Sequence, residues 1–356
     1  MTNSDIARQR LASQRIGATS FGKPGEVVGW LGAVQAQDYL GALWAIGLRM
    51  RAAIEAEVER AIAERAIIRT WPMRGTLHFV AAADVRWMLR LLTPRVVASS
   101  ARRLRQQFDL DEAAIKRSRN ALARALGGGK QLARNSMYEV LEAARISTAG
   151  GRGLHILSRL AQDGFICFGT REGRQHTFAL LDEWSPPAGR ILERDEALAE
   201  LAGRYFTSHG PATLQDFAWW SGLTASDARA GLEMVKSQFV REEIDGQVYW
   251  LAASTQESVK ARVPRVHLLP AYDEYTVAYK DRRAILDPAH AGEANQGYGI
   301  LSPVIVADGQ VVGNWKRAFV KDAVVITPSP FKKFNAAETR AFDEAASRYR
   351  KFQGLS

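Results

Sequence analysis

The sequence predicts an α+β fold in which helix-turn-helix units, each followed by a two-stranded hairpin, precede a small β-rich C-terminal module. Two segments, 136–180 and 213–251, show the order helix, turn, helix, hairpin, which is the winged-helix layout. After residue 251 the pattern changes to short alternating apolar runs, which are typical of strands. The chain has 356 residues, of which 47% are hydrophobic and 24% charged, so it is long enough to bury more than one core.

The N-terminal region predicts a third unit of the same kind. Helical hydrophobic patterns cover 5–17, 24–34, 41–48 and 54–65. Two apolar runs follow, 67–71 and 75–80, on either side of Pro72-Met-Arg-Gly75. Because glycine tolerates the backbone angles of tight turns, we expect these runs to form a hairpin.

The two clearer units begin with matching helix-start signals. Ser136 and Glu139 place a hydroxyl and a carboxylate three residues apart, which is the spacing of a capping box, and Thr213 and Asp216 repeat it. The hairpin of the second of these units turns at Asp245-Gly246, a pair favoured in two-residue hairpin turns. The repeated signals therefore predict winged helices in series.

Breaks in the pattern divide the chain into four predicted segments. Gly127–129 and Ser185-Pro-Pro187 mark two of the boundaries. The segments are 1–126 (N-terminal helices, first winged helix and basic helices), 127–187 (second winged helix), 188–255 (third winged helix) and 256–356 (β-rich module). In the last segment the predicted strands are 263–269, 301–307, 310–315 and 323–327, with a turn at Asp308-Gly309 and a closing helix over 336–349.

The charge is strongly basic. Lysine and arginine number 48 against 38 acidic residues, which gives a net charge of +10, and 37 of the 48 are arginine. Arginine suits bidentate phosphate contacts and stacking on bases, so the bias indicates a nucleic-acid partner. A G+C-rich genome, which favours arginine codons, explains the bias equally well. The stretch 86–119 alone carries nine basic and three acidic residues.

Several classes of protein are excluded or disfavoured. Cys167 is the only cysteine, so an intramolecular disulfide and a zinc–thiolate cluster are excluded. The six histidines show no metal-ligand spacing, and we expect no metal and no cofactor. No apolar run reaches the roughly 20 residues of a membrane helix, and the N-terminus lacks the apolar core of a signal peptide. We therefore expect a cytoplasmic protein with no membrane partner.

The most unusual polar cluster is Gln35-Ala-Gln-Asp38, directly after an amphipathic helical pattern. Residues two apart on an α-helix point in nearly opposite directions, so Gln35 and Gln37 share a face only if the helix ends before them. Asp38 is equally explained as the cap of the next helix. The spacing alone leaves both interpretations open.

Other polar residues fall at predicted strand ends. Strand alternation places Thr76 and His78 on one face of the first hairpin, so His78 is expected to face solvent or a cleft. Trp315, at the end of the Asp308-Gly309 hairpin and followed by Lys316-Arg317, is suited either to a DNA backbone or to a solvated strand end. Asp273 and Glu274 are candidate acid–base residues, although ion pairs with neighbouring arginines explain them as well.

Four ordered motifs together resemble the AlkZ-like winged-helix DNA glycosylases, a bacterial family, over about residues 6–342. They are Gln35-Ala-Gln-Asp38, Arg69-Thr-Trp-Pro-Met-Arg-Gly-Thr-Leu-His78, Leu268-Leu-Pro-Ala-Tyr-Asp-Glu-Tyr275 with Tyr279-Lys-Asp-Arg282, and Gly313-Asn-Trp-Lys-Arg317. The resemblance implies three tandem winged helices and a β-rich module that form a concave DNA-binding surface.

The resemblance also implies an activity. In that family a Gln-apolar-Gln motif lies where the N-glycosidic bond of alkylated purines is hydrolysed, and Gln35 and Gln37 match it; some members unhook interstrand cross-links. The expected function is that of a monofunctional glycosylase for cationic N7- and N3-alkylated purines in double-stranded DNA, acting as a nucleoid-associated monomer. The expected DNA contacts are Arg69, Arg74, His78, Lys280, Arg282, Trp315, Lys316 and Arg317.

Two other functions remain compatible with the residues. A non-catalytic winged-helix DNA-binding protein or regulator needs only the tandem units and the basic charge. The only support for a hydrolase of another substrate that uses Asp273 and Glu274 is that these two residues are adjacent.

Overall fold

The computed structural model describes residues 1–17, 21–187, 191–253, 266–295, 297, 301–321 and 323–355. The fold is mixed α and β, as predicted. The chain forms two compact units: unit 1 comprises Met1–Val58 and Leu198–Ser356, and unit 2 comprises Glu59–Ala197. The four predicted segments describe a different division and stay a prediction.

The predicted helices and strands occur in the predicted order within the described residues, and several short elements that were not predicted lie between them, such as the two-residue strands at 34–35 and 132–133. The helices are α1 (Asn3–Ser13), α2 (Pro24–Leu31), α3 (Tyr39–Gly47), α4 (Glu55–Ala63), α5 (Val85–Phe108), α6 (Glu112–Leu126), α7 (Arg134–Ala143), α8 (Arg152–Gln162), α9 (Leu181–Trp184), α10 (Arg194–His209), α11 (Leu214–Ser221), α12 (Ala225–Val235), α13 (Glu274–Val277), α14 (Ala291–Ala294) and α15 (Ala336–Phe352). The strands are β1 (Val34–Gln35), β2 (Ile67–Met73), β3 (Thr76–Ala81), β4 (Leu132–Ala133), β5 (Ile166–Glu172), β6 (Gln175–Leu180), β7 (Val240–Ile244), β8 (Gln247–Leu251), β9 (Val266–Leu269), β10 (Val304–Ala307), β11 (Gln310–Val320) and β12 (Ala323–Pro330).

Unit 1 contains the predicted β-rich module, built on an antiparallel sheet of order β12-β11-β10-β9. Its first hairpin turns at Asp308 and Gly309, whose φ values of 49° and 87° suit a two-residue turn. The strands β11 and β12 run on to Val320 and Pro330, beyond the predicted ends. Residues 263–265 of the first predicted strand lie outside the described residues.

The closing helix α15 packs an aromatic cluster against this sheet. Tyr349 meets Trp44 and Trp315 edge-on, with ring centroids 5.0 Å and 5.2 Å away. The indole N–H groups of Trp44 and Trp315 donate to the carbonyl oxygens of Leu268 and Leu269 at 2.7 Å and 2.8 Å. Burial of these large rings with their N–H groups satisfied joins α3, α15 and β9 into one core.

A helix pair and a hairpin lie beside this module in unit 1. A capping box formed by Thr213 and Asp216 begins α11, as predicted. The β7–β8 hairpin turns at Asp245 and Gly246, both with left-handed φ values of 49° and 73°. This sequence signal was specific because few other residues tolerate two successive positive φ angles.

Unit 2 contains the other repeat, α7, α8 and the β5–β6 hairpin, with β4 paired to β6. The predicted helix start at Ser136 is wrong: α7 begins at Arg134, after Ala133, and has no side-chain cap. The reason is that Leu132 and Ala133 pair with β6 and lead directly into the helix. Leu141, Ile156, Leu160 and other apolar side chains of α7, α8 and the hairpin form one buried cluster with α6.

The first predicted hairpin also lies in unit 2. The strands β2 and β3 pair antiparallel, and Arg74 and Gly75 form the turn with φ values of 54° and 71°. The helices α5 and α6 follow and carry the basic stretch. Within the described ranges no helix has the length and apolar character needed to cross a membrane.

Candidate functional site

The Gln35-Ala-Gln37 segment lies between two helices of unit 1. The helix α2 ends at Leu31, and Gly32 turns the chain with a φ of 79°. Gln35 is then the second residue of the short strand β1, and α3 begins only at Tyr39. The helix therefore ends before the motif, which is the condition under which both amides were expected to share a face. Gln35 is 8% exposed, whereas Gln37 is exposed to solvent.

Asp38 holds the end of this segment. Its Oδ1 atom accepts from the backbone N–H of Gly41 at 3.1 Å, so the interpretation of Asp38 as the cap of α3 is confirmed. Arg317 lies on the other side of the carboxylate, with Nη2 3.4 Å from Oδ2. A Cβ atom at Gly41 would lie 2.5 Å from Asp38 Oδ2, so this close approach requires glycine.

Glu274 holds the start of the segment. Its side chain is fully buried, and Oε1 accepts from the backbone N–H of Gln35 at 2.9 Å. The other oxygen, Oε2, accepts from the indole N–H of Trp220 at 2.8 Å and lies 3.6 Å from Nε2 of His209. Burial lowers the pKa of His209, which favours a neutral ring. Glu274 thus connects α11 and α13 to the backbone of the motif.

Asp273 has a separate role from its neighbour. It forms a bidentate ion pair with Arg49, two N–O distances of 2.9 Å between fully buried side chains. Arg49 also donates to the side-chain oxygen of Gln14 at 2.8 Å, and Gln14 donates to the hydroxyl of Tyr279 at 3.1 Å. The ion-pair interpretation is therefore confirmed for Asp273, which anchors α13 in the core of unit 1.

The predicted contacts on β11 differ in exposure. Lys316 is exposed, and Arg317 is partly buried, where its Nη1 donates to the hydroxyl of Tyr349 at 2.9 Å. Burial raises the pKa of Tyr349 to about 12, so this hydroxyl stays protonated. Trp315 is only 1% exposed and packs in the aromatic core, which is a correction to its expected place against a DNA backbone. The pleat explains the difference, since Trp315 and Lys316 point to opposite faces of β11.

Two further predicted contacts, Lys280 and Arg282, follow α13 in unit 1. Lys280 is exposed, and its backbone N–H donates to the buried carboxylate of Asp216 at 2.9 Å. Arg282 is partly buried, and the resulting desolvation lowers its pKa. The side chain of Lys280 is therefore free to reach solvent while its backbone is fixed.

The predicted contacts of unit 2 lie on its first hairpin. Arg69 is only 4% exposed, which is a correction to its expected place against DNA, and its guanidinium carbon lies 4.6 Å from the ring centre of Phe168. His78 is fully buried, so of its two expected surroundings, solvent or a cleft, solvent is wrong. Its Nε2 lies 3.4 Å from Nη2 of Arg74, and its Nδ1 lies 3.0 Å from the carbonyl oxygen of Thr76.

Unit 2 also presents the basic stretch to solvent. Eight of its nine basic side chains are exposed to solvent. The exception is Arg86, which is half-buried and forms an ion pair with Asp182 at an N–O distance of 2.8 Å. The exposed ones are Arg90, Arg95, Arg102, Arg103, Arg105, Lys116, Arg117 and Arg119. They lie on α5 and α6, and such a concentration of exposed positive charge attracts phosphate backbones.

Sequence reasoning missed the residues that support the motif rather than the motif itself. Neither His209 nor Trp220 was singled out, and Glu274 was left open between an acid–base role and an ion pair. The adjacency of Asp273 and Glu274 in a polar, aromatic segment was the one available signal. Over the described residues, no group of three His, Cys, Asp or Glu side chains is placed to hold a metal ion.

Comparisons with known proteins agree on one family. Residues 28–352 match the family model described as DNA glycosylase AlkZ-like. The interstrand DNA cross-link repair glycosylase of Streptomyces sahachiroi is 29% identical over 326 residues, 86% of this chain and 84% of the relative. The solved structure of Streptomyces sahachiroi DNA glycosylase AlkZ superposes with a TM-score of 0.82 at 24% identity, over 100% of this chain and 98% of that chain, and so has the same fold.

Proposed function

The chain belongs to the AlkZ-like DNA glycosylase family, and we propose that it hydrolyses the N-glycosidic bond of cationic N7- and N3-alkylated purines in double-stranded DNA. The observation that carries the proposal is the placement of Gln35-Ala-Gln37 outside any helix, on the segment between α2 and α3. The backbone N–H of Gln35 donates to the buried Glu274, and Gln37 is exposed to solvent. Gln37 can therefore meet a substrate that arrives from solvent, two residues from the buried Gln35.

The chemistry explains why amides suffice. A purine alkylated at N7 or N3 carries a positive charge, so it leaves readily and the sugar develops oxocarbenium character. Little deprotonation of water is then needed before attack. Glutamine is not a base at neutral pH, but its carbonyl oxygen accepts from water and its fixed dipole stabilises developing positive charge. Gln35 and Gln37 would orient the attacking water from two sides.

DNA interstrand cross-links are a second proposed class of substrate. The relative from Streptomyces sahachiroi is named as an interstrand cross-link repair glycosylase. A purine joined to the other strand through N7 carries the same positive charge as a methylated one, so the same displacement would release it. We extend the proposal to such adducts on that chemical ground.

Binding to DNA is proposed to use the winged-helix units and the basic side chains. The two helix pairs with hairpins, α7–α8 with β5–β6 and α11–α12 with β7–β8, fit the winged-helix layout, and the N-terminal helices with β2–β3 are the proposed third. The proposed contacts are Lys280, Lys316, Arg317, Arg74, Arg282 and the exposed basic residues of α5 and α6. The protein is proposed to act as a monomer near the nucleoid, since a glycosylase needs no two-fold site.

The decisive experiment is excision from duplexes that carry N7-methylguanine, N3-methyladenine or a bulky N7 adduct. We expect abasic sites from all three cationic lesions and none from a neutral oxidised purine in the same sequence. The variant Gln35→Ala/Gln37→Ala should lose excision while its Kd for DNA changes by less than about twofold, because neither amide is a cation that neutralises phosphate.

Two results would contradict the proposal. Excision of neutral purines as fast as N7-methylguanine would remove the argument from leaving-group charge. Undiminished excision by the double glutamine variant would show that the motif takes no part in the reaction. DNA binding without any excision would instead favour a regulator.

A further inference from the structure

Glu274 lies outside the motif and carries a completely buried carboxylate, which is unusual for a charged side chain. Its side chain has no exposure to solvent, and a carboxylate in such a position costs several kcal/mol unless it is hydrogen-bonded. The structure gives it the backbone N–H of Gln35 on Oε1 and the indole N–H of Trp220 on Oε2. One of these donors belongs to a glutamine of the proposed reaction centre.

The position of this carboxylate is itself fixed on both sides. Glu274 is the first residue of α13, and Asp273 before it accepts from the backbone N–H of Tyr275 at 2.9 Å while it pairs with Arg49. The hydroxyl of Tyr275 donates to the carbonyl oxygen of Gly309 at 2.7 Å and lies 3.1 Å from that of Ala7. The carboxylate that holds Gln35 therefore moves only if the core of unit 1 moves.

A carboxylate satisfies both the backbone N–H of Gln35 and the indole N–H of Trp220, whereas the corresponding amide cannot. Two N–H groups point at two different oxygens, and a carboxylate accepts both. A glutamine at this position has one oxygen, so its NH₂ group would face one of the two donors. That donor would be left unsatisfied or would move away. The backbone of Gln35 is thus sensitive to a change of a single atom in Glu274.

We propose that Glu274 is a positioning residue for base excision, which fixes the backbone of Gln35 so that its side-chain amide meets the attacking water at one place. The inference rests on the proposed function. It assigns Glu274 no contact with DNA and no proton transfer. Rates of reactions between held groups fall steeply with misplacement, by about 100-fold for an error near 1 Å.

The test compares four proteins in single-turnover excision of N7-methylguanine from a duplex: wild type, Glu274→Gln, Gln35→Ala and the double variant. We expect Glu274→Gln to lower the excision rate by about 10- to 100-fold with the Kd for DNA within twofold of wild type. In the Gln35→Ala background the same change should have no further effect, because Glu274 acts only through Gln35. A general loss of folding would instead multiply the two losses.

A matched control is Asp84→Asn in unit 2. Asp84 is also a buried carboxylate that accepts from an indole N–H, that of Trp87 at 3.0 Å. We expect this variant to lose thermal stability but to excise at the wild-type rate when the folded fractions are matched. The comparison separates the loss of a buried carboxylate from the loss of the contact with Gln35.

Trp220→Phe repeats the test if Glu274→Gln does not fold. It removes one donor to Glu274 and leaves the contact with Gln35 in place, so we expect about a threefold loss of rate in the wild-type background and none in the Gln35→Ala background. Equal losses in both backgrounds, or wild-type excision by Glu274→Gln, would overturn the inference. If Gln35→Ala itself excises normally, the proposed function fails instead.

Discussion

The ion pair between Arg49 and Asp273 should be among the most important polar contacts for the stability of unit 1. Replacing Asp273 by asparagine keeps the shape of the side chain but turns an NH₂ group toward the guanidinium of Arg49. Both side chains are fully buried, and the pair has two contacts of 2.9 Å, so the cation would remain in the core without its counter-ion. Breaking one partner of a buried pair costs about 3–5 kcal/mol, and we expect a loss of that size.

Equilibrium unfolding in urea, followed by tryptophan fluorescence, measures this loss. The free energy of unfolding should fall by the stated amount while the dependence on urea concentration stays the same, since the variant exposes no additional surface. The control is Glu233→Gln, which removes an ion pair with Lys236 between side chains that are about half exposed. Exposed pairs contribute about 0–1 kcal/mol, so this variant should resemble wild type.

A small effect of Asp273→Asn would refute the reasoning. If the loss is below about 1 kcal/mol, as for the exposed control, the pair does not anchor α13 in the way that the distances indicate. Glu274 would then lack a rigid support, although its contact with Gln35 would stand.

Three further predictions follow from other contacts. Gly41→Ala should lower the free energy of unfolding in urea by about 0.5–2 kcal/mol, because the added Cβ would displace Asp38 from the start of α3. The same variant should slow excision in a single-turnover assay. Burial, and then the charge of Arg69, lower the pKa of His176 from 6.5 to about 4, so between pH 6.5 and about 4 the protein takes up a proton when it unfolds. The midpoint of thermal unfolding should therefore fall as the pH drops through that range. His176→Asn should make this fall smaller. Arg317→Ala should reduce the slope of log Kd against log salt by about one, whereas an unchanged slope would place Arg317 off the DNA.

The sequence predicted best those features that depend on neighbouring residues. Asp245-Gly246 and Asp308-Gly309 form the expected hairpin turns because positive φ angles are local requirements. The capping box at Thr213 is present for the same reason, since its hydrogen bonds span three residues. The similar signal at Ser136 failed because β4 pairs with β6, a contact that starts α7 earlier and that no local spacing records.

The site itself was predictable only in part. The glutamines stood out as a polar cluster after an apolar helix, and the family resemblance gave them a role. The partner of Gln35 is 239 residues away along the chain, and no pattern near either residue indicates the pairing. His78 and Trp315 show the converse error. Strand alternation gave His78 a face and the end of a hairpin gave Trp315 its expected place, but the burial of each side chain is decided by elements far away in sequence.

Most of the motif lies outside regular helix and strand, so the side chains that contact its ends matter for its geometry. β1 is only two residues long, and the residues from Ala36 to Asp38 belong to neither helix nor strand. Two buried or partly buried carboxylates fix the ends of this segment, Glu274 at the backbone of Gln35 and Asp38 at the start of α3. A Gln-apolar-Gln triplet placed between two helices of another protein, without a buried carboxylate behind it, should therefore bind no water in a productive position and excise nothing.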